Sequence, residues 1–509
     1  MRKRNNIHKI VFGILLSVMV SSSALSQKVI KHARPDSPLK QRWEWAEKES
    51  GAKAYRKGFW IGYSIEKLMG KNSFTGSWSD DWKKQKSLSE VIYSIKIEDP
   101  EEKLTDGEII RRAARSALDD LEDKDKPQEK VLKELALLFR YSDSKHIEDV
   151  KISNLSLHVD LKKLPIVWLG KADHKESVDL LARLYKNVSG NDEKEDVVTA
   201  VGIHPPSDAV FTFLEKILKS QEHDDIREDA AFWLGQQDNK KALKILERTA
   251  ETDRSEDVRE KAVFAISQLD IKEATDSLIK LANSAKHSEV REKAVFWLGQ
   301  GNDPRALKAL LKITKSDPSG DVREKAVFSI SQMKLDGAVE ALIDLAESAS
   351  HNDVREKAVF WLGQKNDPRA LDILLKISAS DPSIDVREKA VFAISQMDND
   401  KALSALIDLA YNATSQHVRK KAIFWLGQKA SKKAVKTLED VVYKDSNREI
   451  QEQAVFALSQ LPKDEGIPKL IKIGKSHPSL KIRKKAIFWL GQTEDPRAVD
   501  ALVEIVRKK

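Results

Sequence analysis

The eleven-residue stretch VREKAVFWLGQ occupies residues 290–300 and recurs unchanged at residues 354–364. A close relative, VREKAVFAISQ, stands at residues 258–268 and again at 386–396. With more distant copies included, the stretch begins every 32 residues, at Ile226, Val258, Val290, Val322, Val354, Val386, Val418, Ile450 and Ile482. Self-similarity at a fixed period of this length is typical of stacked-repeat proteins.

Each repeat also contains a second apolar pattern, such as DPRALKALLKI at residues 303–313. Asp303 followed by Pro304 predicts an N-cap and a first-turn proline, and the leucines that follow recur at helical spacing. Two short helices per repeat cannot bury their apolar faces alone, so neighbouring repeats must stack. The sequence therefore predicts an all-α solenoid of about eleven helix-pair repeats over residues 156–509. The segments LPIVWLGK at 164–171 and VVTAVGIH at 197–204 are interpreted as two eroded copies.

The motif helix has one apolar arc and one polar face. At about 100° per residue the arc contains Val290, Ala294, Val295, Trp297 and Leu298. This arc is expected to pack on the partner helix and on adjacent repeats, with glycines such as Gly299 close to the helix end. Phe296 lies almost opposite the centre of the arc, on the polar face.

The phenylalanine on the polar face recurs in every clear repeat, at Phe232, Phe264, Phe296, Phe328, Phe360, Phe392, Phe424, Phe456 and Phe488. One interpretation is packing, in which each ring covers the aliphatic stem of a neighbouring lysine. The other is a partner-binding stripe with aromatic anchors in a polar rim. The predicted contacts for that stripe are Phe264, Phe296, Phe328, Phe360, Phe392, Phe424, Glu292, Glu356, Gln300 and Gln364.

The residue after the phenylalanine alternates between large and small. It reads Trp233, Ala265, Trp297, Ser329, Trp361, Ala393, Trp425, Ala457 and Trp489. Because protein interiors are close-packed, we expect each indole to be accommodated by the small side chain of the next repeat. The true period is then two repeats rather than one.

Arginines follow the first residue of the motif in eight repeats, at Arg227, Arg259, Arg291, Arg323, Arg355, Arg387, Arg419 and Arg483. They lie at the edge of the buried arc, and acids such as Asp321 and Asp353 stand just before the helices. A ladder of bonds from arginine to carboxylate or carbonyl oxygens between repeats is therefore expected. Gln451 interrupts the series.

Composition limits the classes of function. The chain has no cysteine, which excludes disulfides, zinc–thiolate sites and cysteine nucleophiles. The formal charge is +8, and four cations in residues 1–26 account for half of it. The remainder is too small in so long a chain to indicate nucleic-acid binding.

Residues 1–26 have the pattern of a secretory signal. Four basic residues precede an apolar run at 10–20, and a small-residue segment ends at Ser26. The run is too short for a stable membrane span. We therefore expect cleavage near Ser26, export to the periplasm or beyond, and no stable membrane insertion afterwards.

Residues 27–155 differ from the repeats in composition and in sequence pattern. They are rich in aromatic residues, including Trp78 and Trp82, and combine a helical pattern at 106–121 with an alternating segment, LSLHVDL, at 155–161. A charged stretch at 121–130 predicts a solvated connection. FWIGYSI at 59–65 fits a strand or a helix equally well. These residues are expected to form an N-terminal module, mixed α/β or α, of uncertain fold.

The motif followed by NDPRALKALLKI resembles the HEAT-like repeats of the phycobilin-lyase type, as found in exported bacterial proteins of unassigned function. That resemblance implies a right-handed superhelix with a concave surface used for protein contacts. Deoxyhypusine hydroxylase, a similar repeat protein, holds iron through His–Glu pairs just after the motif arginine. The corresponding positions here, such as Glu292 and Lys293, contain no histidine. No metal site or cofactor is therefore expected.

Other catalytic motifs are absent from the sequence, including HExxH, the P-loop and GxSxG. The scattered histidines, such as His204 and His477, are interpreted as solvated loop residues. The preferred hypothesis is an exported, non-enzymatic scaffold that binds a protein or peptide along its concave face. The alternatives are an enzyme or sensor module in residues 27–155 with the solenoid recruiting its target, and an inert spacer. Neither the partner nor the oligomeric state can be derived from the sequence.

Overall fold

The computed structural model describes residues 27–52, 58–70, 87–93, 130–142, 146–365 and 367–507. The expected signal segment 1–26, the helix at 106–121, the charged connection after it, and Trp78 and Trp82 lie outside the described residues. The chain divides into two compact units, residues 1–271 and residues 272–509. The first contains a sheet and the first repeats, and the second contains only repeats.

The N-terminal part of the first unit is a five-stranded mixed sheet. Its strands are β1 (Val29–Lys31), β2 (Phe59–Gly70), β3 (Lys130–Tyr141), β4 (Ile147–Asn154) and β5 (Ile166–Lys171), in the order β1-β5-β2-β3-β4. Strand β5 is parallel to both β1 and β2, whereas β2, β3 and β4 are antiparallel neighbours. Two helices accompany the sheet, α1 (Leu39–Ala52) and α2 (Leu88–Tyr93). The mixed α/β alternative for this module is therefore confirmed.

Two expectations for this region are wrong. The segment 164–171, interpreted as an eroded repeat copy, contains strand β5 (Ile166–Lys171), which lies between β1 and β2 in the sheet. Trp168 on this strand is buried, and its indole N–H donates to the Tyr93 hydroxyl at 3.0 Å. The alternating segment 155–161 forms no strand, because the chain turns after β4. The ambiguous FWIGYSI segment lies in β2, where Phe59 to Ile65 are all buried. A strand buried on both faces has no two-residue alternation to reveal it.

After the sheet the chain is helical. Helix α3 (His174–Leu184) and a short 3₁₀ turn precede ten successive helix pairs in the described residues. The pairs of the first unit begin with α4 (Asn191–Gly202) and α5 (Asp208–Leu218), followed by α6 (Asp224–Gly235), α7 (Lys240–Thr252) and α8 (Glu256–Gln268). The second unit contains α9 (Lys272–Ser284), α10 (Ser288–Gln300), α11 (Pro304–Ser316), α12 (Gly320–Gln332), α13 (Ala338–Ser348), α14 (Asn352–Gln364), α15 (Ala370–Ser380), α16 (Ile384–Gln396), α17 (Asp400–Asn412), α18 (Gln416–Lys429), α19 (Lys432–Lys444), α20 (Arg448–Ser459), α21 (Lys463–Ser476), α22 (Leu480–Gly491) and α23 (Pro496–Arg507).

The motif helices bury the predicted arc. In α10 the side chains of Val290, Ala294 and Val295 are fully buried and Leu298 is nearly so. The following helix α11 begins as predicted, because the Asp303 carboxylate accepts a hydrogen bond from the Arg305 backbone N–H and Pro304 fills the first helical position. The helix-pair solenoid predicted for the repeats is confirmed.

The glycine of the tryptophan repeats has a different role from the one expected. Gly299 is the second-last residue of α10, close to the helix end as expected, but a β-carbon on it would come within 2.5 Å of the Ser329 β-carbon on α12. The same close approach joins Gly363 to Ala393 and Gly427 to Ala457. The small residue of each alternate repeat therefore faces a glycine of the preceding repeat. It was expected to face the indole, which instead lies half-buried at the surface.

The arginine ladder is confirmed. Arg323 binds Asp353, one of the acids expected before the helices, whereas in alternate repeats the carboxylate comes from the turn after the second helix. Arg291 donates to both oxygens of Asp317 at 2.7 and 3.0 Å, and the Asp317 carbonyl accepts from Arg323 of the next repeat at 2.8 Å. Arg355, Asp381 and Arg387 repeat this arrangement. The ladder aspartates recur in every second repeat, at Asp253, Asp317, Asp381 and Asp445. That spacing was visible in the sequence and was missed.

Candidate binding surface

The phenylalanines and tryptophans of the second unit form one continuous chain of ring contacts, here called the aromatic ribbon. Phe296 stacks on Phe328 at 6.4 Å, and Phe328 meets Trp361 of the next repeat at 5.3 Å. Trp361 in turn contacts the ring of its own neighbour Phe360 at 5.0 Å. The same alternation of stacked, tilted and edge contacts continues through Phe392, Phe424, Trp425, Phe456, Trp489 and Phe488.

The rings of the aromatic ribbon are neither fully buried nor fully exposed. Its rings from Phe296 to Phe456 are half-buried, and Phe488 is 53% exposed. Aromatic pairs in these geometries each contribute about 0.5–1.5 kcal/mol beyond burial. The rings therefore support the stacking of repeats and still present an aromatic edge to solvent. Phe264, another predicted contact, is half-buried in the first unit.

Charge pairs between successive repeats run beside the ribbon. Lys325 binds Glu292 at 3.0 Å, and Lys357 binds Glu324 at 2.8 Å. The same positions are joined farther along the second unit by Lys421 and Glu388 at 2.9 Å. These pairs, called charge rungs below, are half-exposed, and each contributes less than about 1 kcal/mol. Their main effect is to place fixed charges at regular intervals along the aromatic surface.

A groove of about 590 Å³ opens on this surface over α12 and α14. Its aromatic wall consists of Phe328, Phe360 and Trp361, and its charged wall contains four carboxylates and three lysines. Glu292 and Glu356, two of the predicted contacts, belong to that wall. Gln300 and Gln364 do not line the groove; both are exposed at the last position of their helices.

Two carboxylates of the groove lack an ion pair among the described residues, the exposed Asp321 and the half-buried Glu356. Glu356 makes neither a hydrogen bond nor an ion pair with any described residue, although its position is that of a rung glutamate. The corresponding lysine, Lys389, lies over the Phe392 ring at 5.9 Å from the ring centroid. Burial raises the pKa of Glu356 above its ordinary value, and nearby Lys389 offsets only part of that effect.

A second irregularity lies in the first unit, where Asp229 replaces the lysine found in the next six motif helices. Burial, and then the charges of Asp229, Asp225 and Asp192, raise the pKa of Glu195 to about 7. Burial also raises the pKa of Asp229 to about 6. Two carboxyls with raised pKa values therefore lie close to each other beside the position where other repeats have a rung lysine.

A buried polar chain joins the sheet to the first helices. His204 Nδ1–H donates to the Ala200 carbonyl at 2.8 Å, so His204 Nε2 accepts from the Ser177 hydroxyl at 2.9 Å. The Tyr63 hydroxyl donates to Ser177 at 2.8 Å. Burial lowers the pKa of His204 to about 3. The expectation that His204 is solvated is therefore wrong, and the same holds for His477, which is 1% exposed.

This chain has the donor order of an activated serine nucleophile, but substrate cannot reach it. Tyr63 and Ser177 are fully buried, and His204 is 2% exposed. We assign it a structural role, because it satisfies polar groups that the sheet and helices would otherwise bury unpaired.

The described residues contain neither a membrane-spanning helix nor a cluster of metal ligands. None of their helices combines the length and apolar character required to cross a bilayer. They also bring together no group of three or more histidine, aspartate or glutamate side chains able to hold a metal ion.

Family models match most of the repeat region. Residues 211–295, 275–359, 339–419 and 403–478 match the model for HEAT repeats, and residues 482–508 match the PBS lyase HEAT-like repeat. The HEAT-repeat matches together span more than half of the chain. Among curated proteins, sequence comparison finds no significant match.

Solved structures with similar helix pairs come from diverse proteins. Human deoxyhypusine hydroxylase is 18% identical over 58% of this chain and 96% of its own, with a TM-score of 0.23. The CpcE–CpcF complex of phycocyanin lyase from Nostoc is 19% identical over 48% of this chain and 94% of that chain, with a TM-score of 0.24. Kap121p bound to RanGTP is 14% identical over 68% of this chain and 43% of that chain, with a TM-score of 0.38. At such scores no activity or partner is transferred to this protein.

Proposed function

Since the chain belongs to the HEAT-repeat proteins, we propose that it is a non-enzymatic scaffold that binds a protein or peptide partner along the aromatic ribbon. The observation that carries the proposal is the unbroken run of half-exposed ring contacts from Phe296 to Phe488. Core packing alone would not require large rings on the polar face of every motif helix. The proposal includes the expectation that the face carrying the aromatic ribbon is the concave face of the superhelix.

The chemistry of the surface supports recognition of a polypeptide. Aromatic anchors in a polar rim are the side chains that contribute most to protein interfaces. The charge rungs supply that rim in several repeats, and the groove over α12 and α14 supplies a pocket. An extended or helical partner can therefore contact several repeats at once.

Photocrosslinking tests this proposal. The photoreactive residue p-benzoylphenylalanine replaces Phe328 or Phe392 in the full chain, and Lys312, exposed on the second helix of a repeat, is the control position. We expect a discrete crosslinked partner from the ribbon positions and none from Lys312. Crosslinks of equal yield at all three positions would reject the ribbon as the binding surface.

A stability control separates binding from packing. Phe328→Leu, Phe360→Leu and Phe392→Leu remove the rings but keep most of the apolar burial. The triple variant is expected to lose partner crosslinking from a photoreactive residue at Phe424, while its melting temperature falls by only a few degrees. Partner crosslinking that persists in a well-folded triple variant would favour packing as the sole role of the rings.

We also propose that the protein is exported and loses residues 1–26. The basic, apolar and small-residue segments of that stretch support cleavage after Ser26. N-terminal sequencing of the protein from its native cells tests this: a mature end at Gln27 is expected, and an intact Met1 in the cell interior would reject export.

A further inference from the structure

The groove over α12 and α14 contains an uncompensated negative charge. Its wall includes Glu292, Asp321, Glu324 and Glu356 against Lys325, Lys357 and Lys389. Two of the lysines are held in rungs by Glu292 and Glu324. The third, Lys389, lies over the Phe392 ring, which leaves the half-buried Glu356, like the exposed Asp321, without an ion pair among the described residues.

The Glu356 carboxylate lies in a groove that is also lined by aromatic rings. Phe328, Phe360 and Trp361 line the same groove, with Phe328 and Phe360 each within 5.3 Å of the Trp361 ring centroid. Aromatic faces attract cations, and a long aliphatic stem packs on the same rings. A lysine or arginine side chain supplies both the stem and the charge. An anionic guest would meet the unpaired carboxylate and is disfavoured.

We propose that this groove binds a lysine or arginine side chain of the partner, between the Glu356 carboxylate and the rings of Phe328, Phe360 and Trp361. The inference rests on the proposed function and names the chemistry of the partner: a polypeptide with a basic side chain at the contact. Glu356 acts as the anionic anchor and the three rings as the walls that hold the stem.

Fluorescence anisotropy with defined peptides tests the inference. The probe is a fluorescein-labelled dodecapeptide of alternating lysine and alanine, added to the full chain at 150 mM salt. Matched peptides carry glutamine or glutamate in place of lysine. The lysine peptide is expected to bind and the other two are not. Glu356→Gln is expected to weaken binding about tenfold, because an isosteric amide keeps the shape but removes the charge.

Two further variants are measured with the same lysine peptide. Glu388→Gln changes the equivalent glutamate of the next repeat, which is paired with Lys421 and does not line the groove, and it is expected to change affinity less than twofold. Lys389→Gln removes the competing cation beside Glu356 and is expected to strengthen binding. Circular dichroism confirms that each variant is folded.

Several results would overturn the inference. Equal losses in Glu356→Gln and Glu388→Gln would show diffuse attraction of the lysine peptide to the whole surface. A preference for the glutamate or glutamine peptide, or no binding of the lysine peptide at millimolar concentration, would also reject a cation site. The crosslinking experiment is independent of peptide charge, so crosslinks at Phe328 would then still support the proposed function.

Discussion

At the scale of single residues, the repeats are most informative where they break their own pattern. Asp229 stands where the next six motif helices have lysine, and Glu356 has the position of a rung glutamate but no rung. Neither irregularity keeps the rung of its neighbours: Asp229 adds an acid near Glu195, and Glu356 has no ion pair among the described residues. We interpret Glu356 as part of the binding surface, and Asp229 as a site whose charge limits stability.

Replacing Asp229 by lysine should stabilise the protein in a pH-dependent way. The raised pKa values of Glu195 and Asp229 mean that the folded state binds more protons than the unfolded chain between about pH 4.5 and 7, so stability falls as pH rises through this range. Asp229→Lys is expected to add about 1 kcal/mol at pH 8, after allowance for solvent screening, and little at pH 5. Urea unfolding at both pH values measures the difference.

The control for this prediction is Asp344→Asn, which neutralises an exposed acid on the second helix of a repeat. Its effect is expected to stay below about 0.5 kcal/mol at both pH values. A gain from Asp229→Lys that is the same at pH 5 and pH 8 would contradict the carboxyl pairing.

The arginine ladder predicts a larger effect at Asp317. This carboxylate is 7% exposed and binds two of the three guanidinium nitrogens of Arg291, so its loss leaves a nearly buried cation without a counter-charge. Asp317→Asn is expected to reduce the free energy of unfolding by about 2–3 kcal/mol, measured by urea titration. Asp321→Asn, on an exposed side chain four residues away, is the control. Equal, small effects would make the ladder energetically irrelevant.

At the scale of helices, the two kinds of motif helix differ in how closely they approach the next repeat. The glycine of each tryptophan-bearing motif helix leaves space for the small residue of the next motif helix, as Gly299 of α10 does for Ser329 of α12. The alternation of tryptophan with alanine or serine therefore marks a pair of helices rather than a single repeat. The indole keeps its place at the surface, where it links the phenylalanines of successive repeats.

This contrast makes two glycines a matched pair for mutation. A β-carbon at Gly299 would lie 2.5 Å from Ser329, whereas one at Gly491 would meet nothing within 4 Å. Gly299→Ala is expected to cost about 1–3 kcal/mol through overpacking. Gly491→Ala is expected to be neutral or to stabilise by up to about 1 kcal/mol through helix propensity.

Thermal unfolding of the two variants, and of Gly299→Ala combined with Ser329→Gly, measures these effects. The double variant should recover part of the loss, because it restores the space between α10 and α12. If both single variants changed the melting temperature alike, the close approach of α10 and α12 would not be the constraint on Gly299.

The sequence predicted the helices well because their determinants are local. Periodicity located the buried arc of α10, and Asp303 with Pro304 located the start of α11. Strand β5 could not be predicted from local pattern, because its sequence is similar to that of a repeat helix. Its structure depends on pairing with β1 and β2, and β2 lies about a hundred residues earlier in the chain. The candidate surface was predicted in part. The phenylalanines were found, but the half-exposed tryptophans and the missing rung at Glu356 depend on side-chain packing between repeats.

At the scale of the whole molecule, a repeat array gains stability from each repeat and from each interface between neighbours. Because small and tryptophan-bearing motif helices alternate, there are two kinds of interface in the second unit. The true structural period is then a pair of repeats, and the ladder aspartates at 253, 317, 381 and 445 follow the same period. An array of this kind should tolerate the loss of a full period better than the loss of half of one.

Deletions test the period directly. Removing residues 320–383 connects α11 to α16, so Gly299 meets Ala393 in place of Ser329 and the Asp317 carbonyl can accept from Arg387 as it did from Arg323. Removing only residues 320–351 connects α11 to α14 and places Trp361 where Ser329 lay. The longer deletion is therefore expected to give the higher melting temperature, although it removes twice as many residues, because the shorter one overpacks an interface. Calorimetry of the two proteins measures their melting temperatures. A lower melting temperature for the longer deletion would indicate that the structural period is a single repeat.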